Sequence, residues 1–189
     1  LAIKRLAENV KQPTAYNRLS NMVKSTGIPT NTASIIEYVR FVCEACLLFT
    51  LSNYASKFAE KETTKKHYFI DNGLLNIFLT DQDTSLLENI CALHLYKQYA
   101  SDEEPRLFYY NKNIEVDFFV PEKNMAVQAS YSISDPTTLQ REVKALVALH
   151  KLHHLDKAVI VTYDTECTIT EDSLTISVVP AWKWLLSEE

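Results

Sequence analysis

The sequence predicts an α/β protein in two parts: a helix-rich module over residues 1–70 and an α-β-β-β-α-β run over residues 71–189. Three observations carry the prediction. Apolar residues recur at helical spacing in several segments, most clearly over 86–99. Between two such segments lie three short apolar runs separated by Asn111-Lys112-Asn113 and Pro121-Glu122-Lys123-Asn124, the composition of hairpin turns. The 189 residues are 47% apolar and 23% charged, with only two glycines and six prolines, a balance that excludes low-complexity disorder.

The first module reads in order. Leu1, Ile3, Leu6 and Val10 mark a helix over residues 1–10, broken near Pro13. Leu19, Met22 and Val23 give Asn17 to Ser25 one apolar side, and Thr26-Gly27 supplies a left-handed turn. Ile28-Pro29-Thr30-Asn31 then leads into a longer second helix with a Thr or Asn cap, the order of a helix-turn-helix. Leu47 to Leu51 reads as a strand, the charged Lys57 to Lys66 stretch as a loop or wing, and His67 to Ile70 as a returning strand. Together these predict a winged helix-turn-helix. The second module begins where Asp71-Asn72-Gly73 turns into a helix through Leu79, followed by the amphipathic helix Leu86 to Tyr99. Strands are expected at Leu107 to Tyr110, Ile114 to Val120 and Met125 to Tyr131. A helix from Pro136 to about His150 follows, then strands at Ala158 to Thr162 and Leu174 to Val179 and a terminal segment with Trp182 and Trp184.

Several functions are excluded by composition. Gly27 and Gly73 lie far apart and precede Ile28 and Leu74, so neither a phosphate-cradling P-loop nor a dinucleotide-binding glycine turn exists in these residues. The longest apolar stretch, Phe41 to Leu51, is interrupted by Glu44 and Thr50 and falls short of the roughly 18 residues of a spanning helix, so no membrane partner is expected. Cys43, Cys46, Cys91 and Cys167 follow no secreted disulfide spacing. The Cys43-x-x-Cys46 pair has no second pair to complete a zinc site, and buried thiols in a reducing cytoplasm are expected. The chain begins at Leu1 without an initiator Met, as a piece of a longer polypeptide would. Its first 30 residues carry Lys4, Arg5, Lys11, Arg18 and Lys24 against Glu8, a basic end on an acidic body with net charge −5. That is either a weak nucleic-acid footprint or scattered surface charge.

Glu115-Val116-Asp117-Phe118-Phe119-Val120 is the segment richest in chemistry. Strand alternation places Glu115 and Asp117 on one face and Val116, Phe118 and Val120 on the other. The next strand presents Gln128 and Ser130 together, and the preceding helix carries Glu88 in an otherwise apolar run. Such oxygens on adjacent elements can converge on a hard cation. His150, His153 and His154 include a pair at i and i+4, but they sit at a helix C-terminus without the Glu of H-E-x-x-H, and a structural role is expected.

At these residues the chain resembles the PD-(D/E)XK nuclease superfamily. More specifically, it is similar to the C-terminal half of a large family of prokaryotic AAA+-like ATPases that carry a domain of unknown function after the ATPase. The matching phrases are Tyr68-Phe69-Ile70-Asp71-Asn72-Gly73-Leu74-Leu75, Leu87-Glu88-Asn89, Tyr109-Tyr110, Glu115-Val116-Asp117-Phe118, Val127-Gln128 and Arg141-Glu142-Val143. The resemblance implies a restriction-endonuclease-like αβββαβ domain over 71–189. It implies a catalytic set of Glu88, Asp117 and Gln128, with Glu88 and Asp117 as ligands of Mg2+. In that pattern a Lys stands two positions after the Gln; here the position is Ser130, and Arg141 or Lys144 could supply a migrated cation.

Two kinds of partner remain open. Arg18, Lys24, Thr30, Asn31 and Thr32 are the helix-turn-helix residues placed to meet DNA phosphates and base edges, whereas Glu37 and Glu44 on the second helix fit a protein-docking role. The resemblance also implies an upstream ATPase module of the same polypeptide as partner, with ATP bound only there, and it is compatible with an oligomer. The functions expected are a non-catalytic ATPase C-terminal module, an active magnesium-dependent nuclease, or a protein-interaction scaffold.

Overall fold

The computed structural model describes residues 1–79, 83–100 and 105–187. The first part holds α1 (Ala2–Glu8), β1 (Thr14–Ala15), α2 (Tyr16–Lys24), α3 (Thr32–Glu44), β2 (Leu48–Ser52), α4 (Phe58–Thr63) and β3 (Thr64–Phe69). Its sheet is antiparallel in the order β1-β3-β2. Gly27 follows α2 at φ +85°, the left-handed backbone a side chain resists. Asn31 caps α3, its side chain accepting a hydrogen bond from the Ser34 amide at 2.8 Å.

Next come α5 (Asn72–Phe78), α6 (Asp83–Tyr99), β4 (Phe108–Asn111), β5 (Glu115–Val120), β6 (Met125–Ala129), α7 (Pro136–His153), β7 (Lys157–Thr162), β8 (Cys167–Glu171), β9 (Leu174–Pro180) and α8 (Ala181–Leu186). The strands form a mixed sheet in the order β4-β5-β6-β7-β9-β8. β4, β5 and β6 are antiparallel neighbours, while β6, β7 and β9 run parallel. The β6-α7-β7 crossover supplies the length a parallel pair requires. The chain is thus a mixed α/β protein, as its pattern predicts.

Two apolar clusters lie on the two faces of this sheet. On one, α7 packs Val143, Leu146 and Leu149 against Val116, Phe119, Ala126 and Ile160. On the other, Phe118, Val120, Val127, Val159 and Val161 meet Leu87, Cys91 and Leu95 of α6 and Trp184 of α8. The same cluster takes in Leu6, Leu19, Ile35, Leu48, Tyr68 and Phe69, so residues on both sides of position 70 share one core. Among the described residues no helix is long and apolar enough to cross a membrane.

Four local expectations change. The Lys57 to Lys66 stretch contains α4 and the first half of β3 where a loop was expected, because Ala59-Glu60-Lys61-Glu62 are good helix formers. β8 was not foreseen: it is an edge strand, mostly exposed on both faces, so no burial period marks it. A two-residue Asp172-Ser173 turn, both residues at positive φ, pins it to β9. Of the four thiols only Cys91 is buried; Cys43 is half-buried, and Cys46 and Cys167 are exposed. Finally, β5 does not alternate strictly. Phe108 pairs with Phe119 and Tyr110 with Val116, which leaves one extra residue on β5 at the Asp117-Phe118 step. Val116 therefore joins Phe119 on the α7 face, while Phe118 and Val120 face α6.

Side-chain amides join the two parts where no ladder continues. The Phe69 amide donates to Asn89 Oδ1 at 2.8 Å, and Asn89 Nδ2 donates to the Phe69 carbonyl at 2.9 Å and to Asn72 Oδ1 at 2.8 Å. Asn89 on α6 thus acts as a one-residue strand for the end of β3. Asn53 does the same for Asn111, accepting from its amide at 2.9 Å and donating to its carbonyl at 2.7 Å. Replacing Asn89 with Ala leaves a buried donor and acceptor of Phe69 unpaired. Asn89→Ala is expected to lower unfolding free energy by about 2–4 kcal/mol in urea titrations; a loss below about 1 kcal/mol would show that this bridge does not hold β3 to α6.

Candidate functional site: a carboxylate pocket closed on a lysine

The bulge in β5 turns Asp117 toward α6, where Glu88 lies on the buried face. Between them stands Lys66 of β3. Its Nζ donates to Asp117 Oδ1 at 3.1 Å and to Glu88 Oε1 at 3.3 Å, and pairs with Glu115 Oε1 at 3.5 Å. Lys66 is fully buried, at 0% exposure, so protein alone must stabilise its charge. The Tyr109 ring lies 5.7 Å from the ammonium. Tyr68, two residues along the same strand, donates its hydroxyl to Glu88 Oε1 at 2.8 Å.

Gln128 belongs to the other face of the sheet and works on Asp117 through the backbone. Its Oε1 accepts from the Asp117 amide at 2.7 Å, and its Nε2 donates to Glu142 Oε2 at 2.8 Å and to the Glu115 carbonyl at 3.2 Å. The Ala129 amide donates to Asp117 Oδ2 at 3.1 Å. Arg141 Nη2 in turn donates to Glu142 Oε1 at 2.6 Å. A cleft of about 1310 Å³ opens over these groups, lined by Glu88, Glu115, Asp117, Gln128, Arg141 and Lys144 among others. Ser130 is buried, with its hydroxyl donating to the Ser132 carbonyl at 3.3 Å.

Charge in this pocket is governed by burial and by the excess of carboxylates over cations. Burial pulls Lys66 toward its neutral form, but Glu88, Asp117 and Glu115 together outweigh it and hold the ammonium well above the usual lysine range. Glu88 is pushed up to about 8, first by burial and then by Asp117, against the opposing pull of Lys66 and the Tyr68 hydroxyl. Burial, followed by Glu88 and Asp117, also keeps Tyr68 protonated far above its ordinary value.

The sequence-predicted residues are therefore partly assembled. Glu88 and Asp117 converge, with Lys66 between them, and Gln128 positions the Asp117 backbone. The arrangement does not fit a magnesium ion, which takes oxygen ligands at roughly 2.0–2.1 Å. Here the facing oxygens already engage an ammonium, and among the described residues no group of three or more His, Cys, Asp or Glu is placed to hold a metal. Lys66, Tyr68 and Glu142 are the site residues that sequence reasoning left out. A period-2 reading extended back to Thr64 would have put Lys66 on the Tyr68 face of the strand.

Elsewhere, Arg18, Lys24 and Asn31 are exposed and Thr30 and Thr32 half-buried around the α2-α3 turn. The exposed side of α3 carries Ile36, Tyr38 and Phe41 beside Glu37, with Arg40 drawn to Glu44 at 3.8 Å. The histidines at the end of α7 serve structure: His150 Nδ1 accepts from the Leu155 amide at 3.0 Å, and His153 packs against Tyr54, Tyr110 and Phe119.

The fold and pocket define a mixed α/β module whose acidic cleft floor carries its own cation. A family model described as a domain of unknown function, DUF4143, matches residues 83–184, more than half of the chain, and the chain belongs to this family. It is 29% identical over 182 residues to an uncharacterized protein, MJ1544, of Methanocaldococcus jannaschii, an alignment that covers 92% of this chain and 41% of that relative. The chain spans less than half the length of the curated relative it matches. No solved structure matches it.

The elevated Glu88 has a pH signature. An acid raised on folding contributes its stability below its ordinary value, 4.5, and loses it as pH rises through about 8. Glu88→Gln cannot ionise, so its stability relative to the parent is expected to improve from about pH 5 to about pH 9 in urea titrations. A difference that stays constant across that interval would contradict the assignment.

Proposed function

We propose that the chain is the C-terminal, non-catalytic module of an AAA+-like ATPase, combining a winged helix-turn-helix with a nuclease-like α/β unit that binds and does not cleave. The observation that carries this is the Lys66 ammonium seated among Glu88, Asp117 and Glu115. In the nuclease pattern those carboxylates hold magnesium and a separate lysine orients the attacking water. Here one buried lysine satisfies the carboxylates itself, and water has no access to its Nζ. Supporting the ATPase context are the resemblance of the sequence phrases, the DUF4143 match and the greater length of the archaeal relative.

The winged helix is read as a protein-docking element. Its second helix exposes Ile36, Tyr38 and Phe41 beside Glu37 and an Arg40–Glu44 pair, a surface with little excess positive charge to hold phosphate and suited to an apolar patch on the ATPase portion of the same polypeptide. ATP then belongs to that portion alone.

Incubation of the purified chain with duplex and single-stranded DNA and RNA, in Mg2+ or Mn2+, is expected to give no cleavage above that of Asp117→Ala. Cleavage that the parent shows and Asp117→Ala lacks would establish a nuclease and overturn the proposal.

A further inference from the structure

We propose that the outer edge of β8 docks a second copy of this chain: two β8 strands pair antiparallel about a two-fold axis at Ile169 and join the two six-stranded sheets into one. The inference is independent of the ATPase reading. The two edges of the sheet are treated differently. At β4 the chain covers its own edge, where the Tyr54 amide donates to the Tyr109 carbonyl at 2.8 Å and Asn53 meets both backbone groups of Asn111. β8 pairs with β9 alone, and among the described residues no backbone group outside that ladder bonds to Thr168 or Thr170. Proteins commonly blunt such an edge with lysine, proline or a bulge. Cys167-Thr168-Ile169-Thr170-Glu171 has none of these, and its register with β9 is unbroken.

The hairpin determines which groups the edge offers. Residues flanking a two-residue turn exchange both backbone hydrogen bonds, so Glu171, Ile169 and Cys167 point their amides and carbonyls at β9. Thr168 and Thr170 point theirs outward. With Ile169 on the axis, Thr168 of one copy lies opposite Thr170 of the other, and each such pair exchanges both its backbone hydrogen bonds. The side chains agree with this register. Ile169 is half-buried against the apolar cluster on the α7 face, and on the axis it packs against its own counterpart, continuing that layer. Glu171, the charged residue of β8, meets Cys167 of the second copy. Just outside the strand Glu166 faces Asp172, but each already holds a lysine of its own chain, Lys183 and Lys151 respectively. Unpaired like charges are therefore not brought together.

Sedimentation velocity from micromolar to near-millimolar concentration is expected to move the chain from 21.7 kDa toward twice that mass. Two short strands make a small interface, so the dimer is reversible. Thr168→Pro removes an outward amide that β9 does not use, and is expected to weaken the dimer by about tenfold or more while circular dichroism stays unchanged. Glu171→Cys reads the register. With glutathione disulfide as oxidant, reduced to two glutathione thiols, the new thiol and Cys167 of the second copy are expected to form a disulfide. The covalent dimer should vanish when Cys167→Ser is added. Monomer mass at every concentration would overturn the proposal, as would a dimer that folded Thr168→Pro leaves intact or one in which Glu171→Cys forms no Cys167-dependent link. Should Thr168→Pro not fold, the cross-link decides the question.

Discussion

A buried ammonium held by three carboxylates is the constraint around which this chain is arranged. A fully buried lysine without counter-charge carries a desolvation cost of several kcal/mol, and breaking a buried pair from one side typically costs about 3–5 kcal/mol. β3, α6 and the bulge of β5 bring these four side chains together. Polar groups of this kind are poor sources of net stability but strict about geometry.

The amide bridges extend the same logic. Phe69 and Asn111 end their strands at places where the next strand is missing, and Asn89 and Asn53 supply the lost donor and acceptor from a helix and a strand end. Each bridge crosses between the first 70 residues and the six-stranded sheet or α6. Apolar packing fills the space between, with Phe49, Tyr68 and Phe118 forming a run of aromatic contacts beside the charged cluster. A polar seam flanked by aromatic rings thus lies within the apolar core that the two differently patterned segments share.

Much of this was legible in the residues. Strands separated by Asn111-Lys112-Asn113 and Pro121-Glu122-Lys123-Asn124 lie where turn chemistry puts them, and α3 and α5 start at the Asn31 and Asp71 caps. At Gly73 a Cβ would meet Asp71 Oδ1 at 2.9 Å and press on the carboxylate that caps α5. What could not be read was long-range. A bulge is invisible to strict alternation, so the side of the sheet to which Asp117 turns depends on the pairing of β4 with β5. Lys66 looked like one more charge in a polar stretch because only tertiary packing shows that its strand is buried. The Glu88-Asp117 convergence was legible through family resemblance; the cation that meets it was not, since it arrives from 51 positions upstream of Asp117.

The resemblance to magnesium nucleases and the content of the pocket point in different directions, because the Glu88, Asp117 and Glu115 carboxyl groups already meet the Lys66 ammonium. The most direct test is proton-detected nitrogen NMR of the lysine ammonium groups. The account predicts one ammonium resonance protected from solvent exchange, assigned to Lys66 by its absence in Lys66→Met and persisting to higher pH than those of the surface lysines. A Lys66 signal that exchanges and titrates with the surface groups would contradict it.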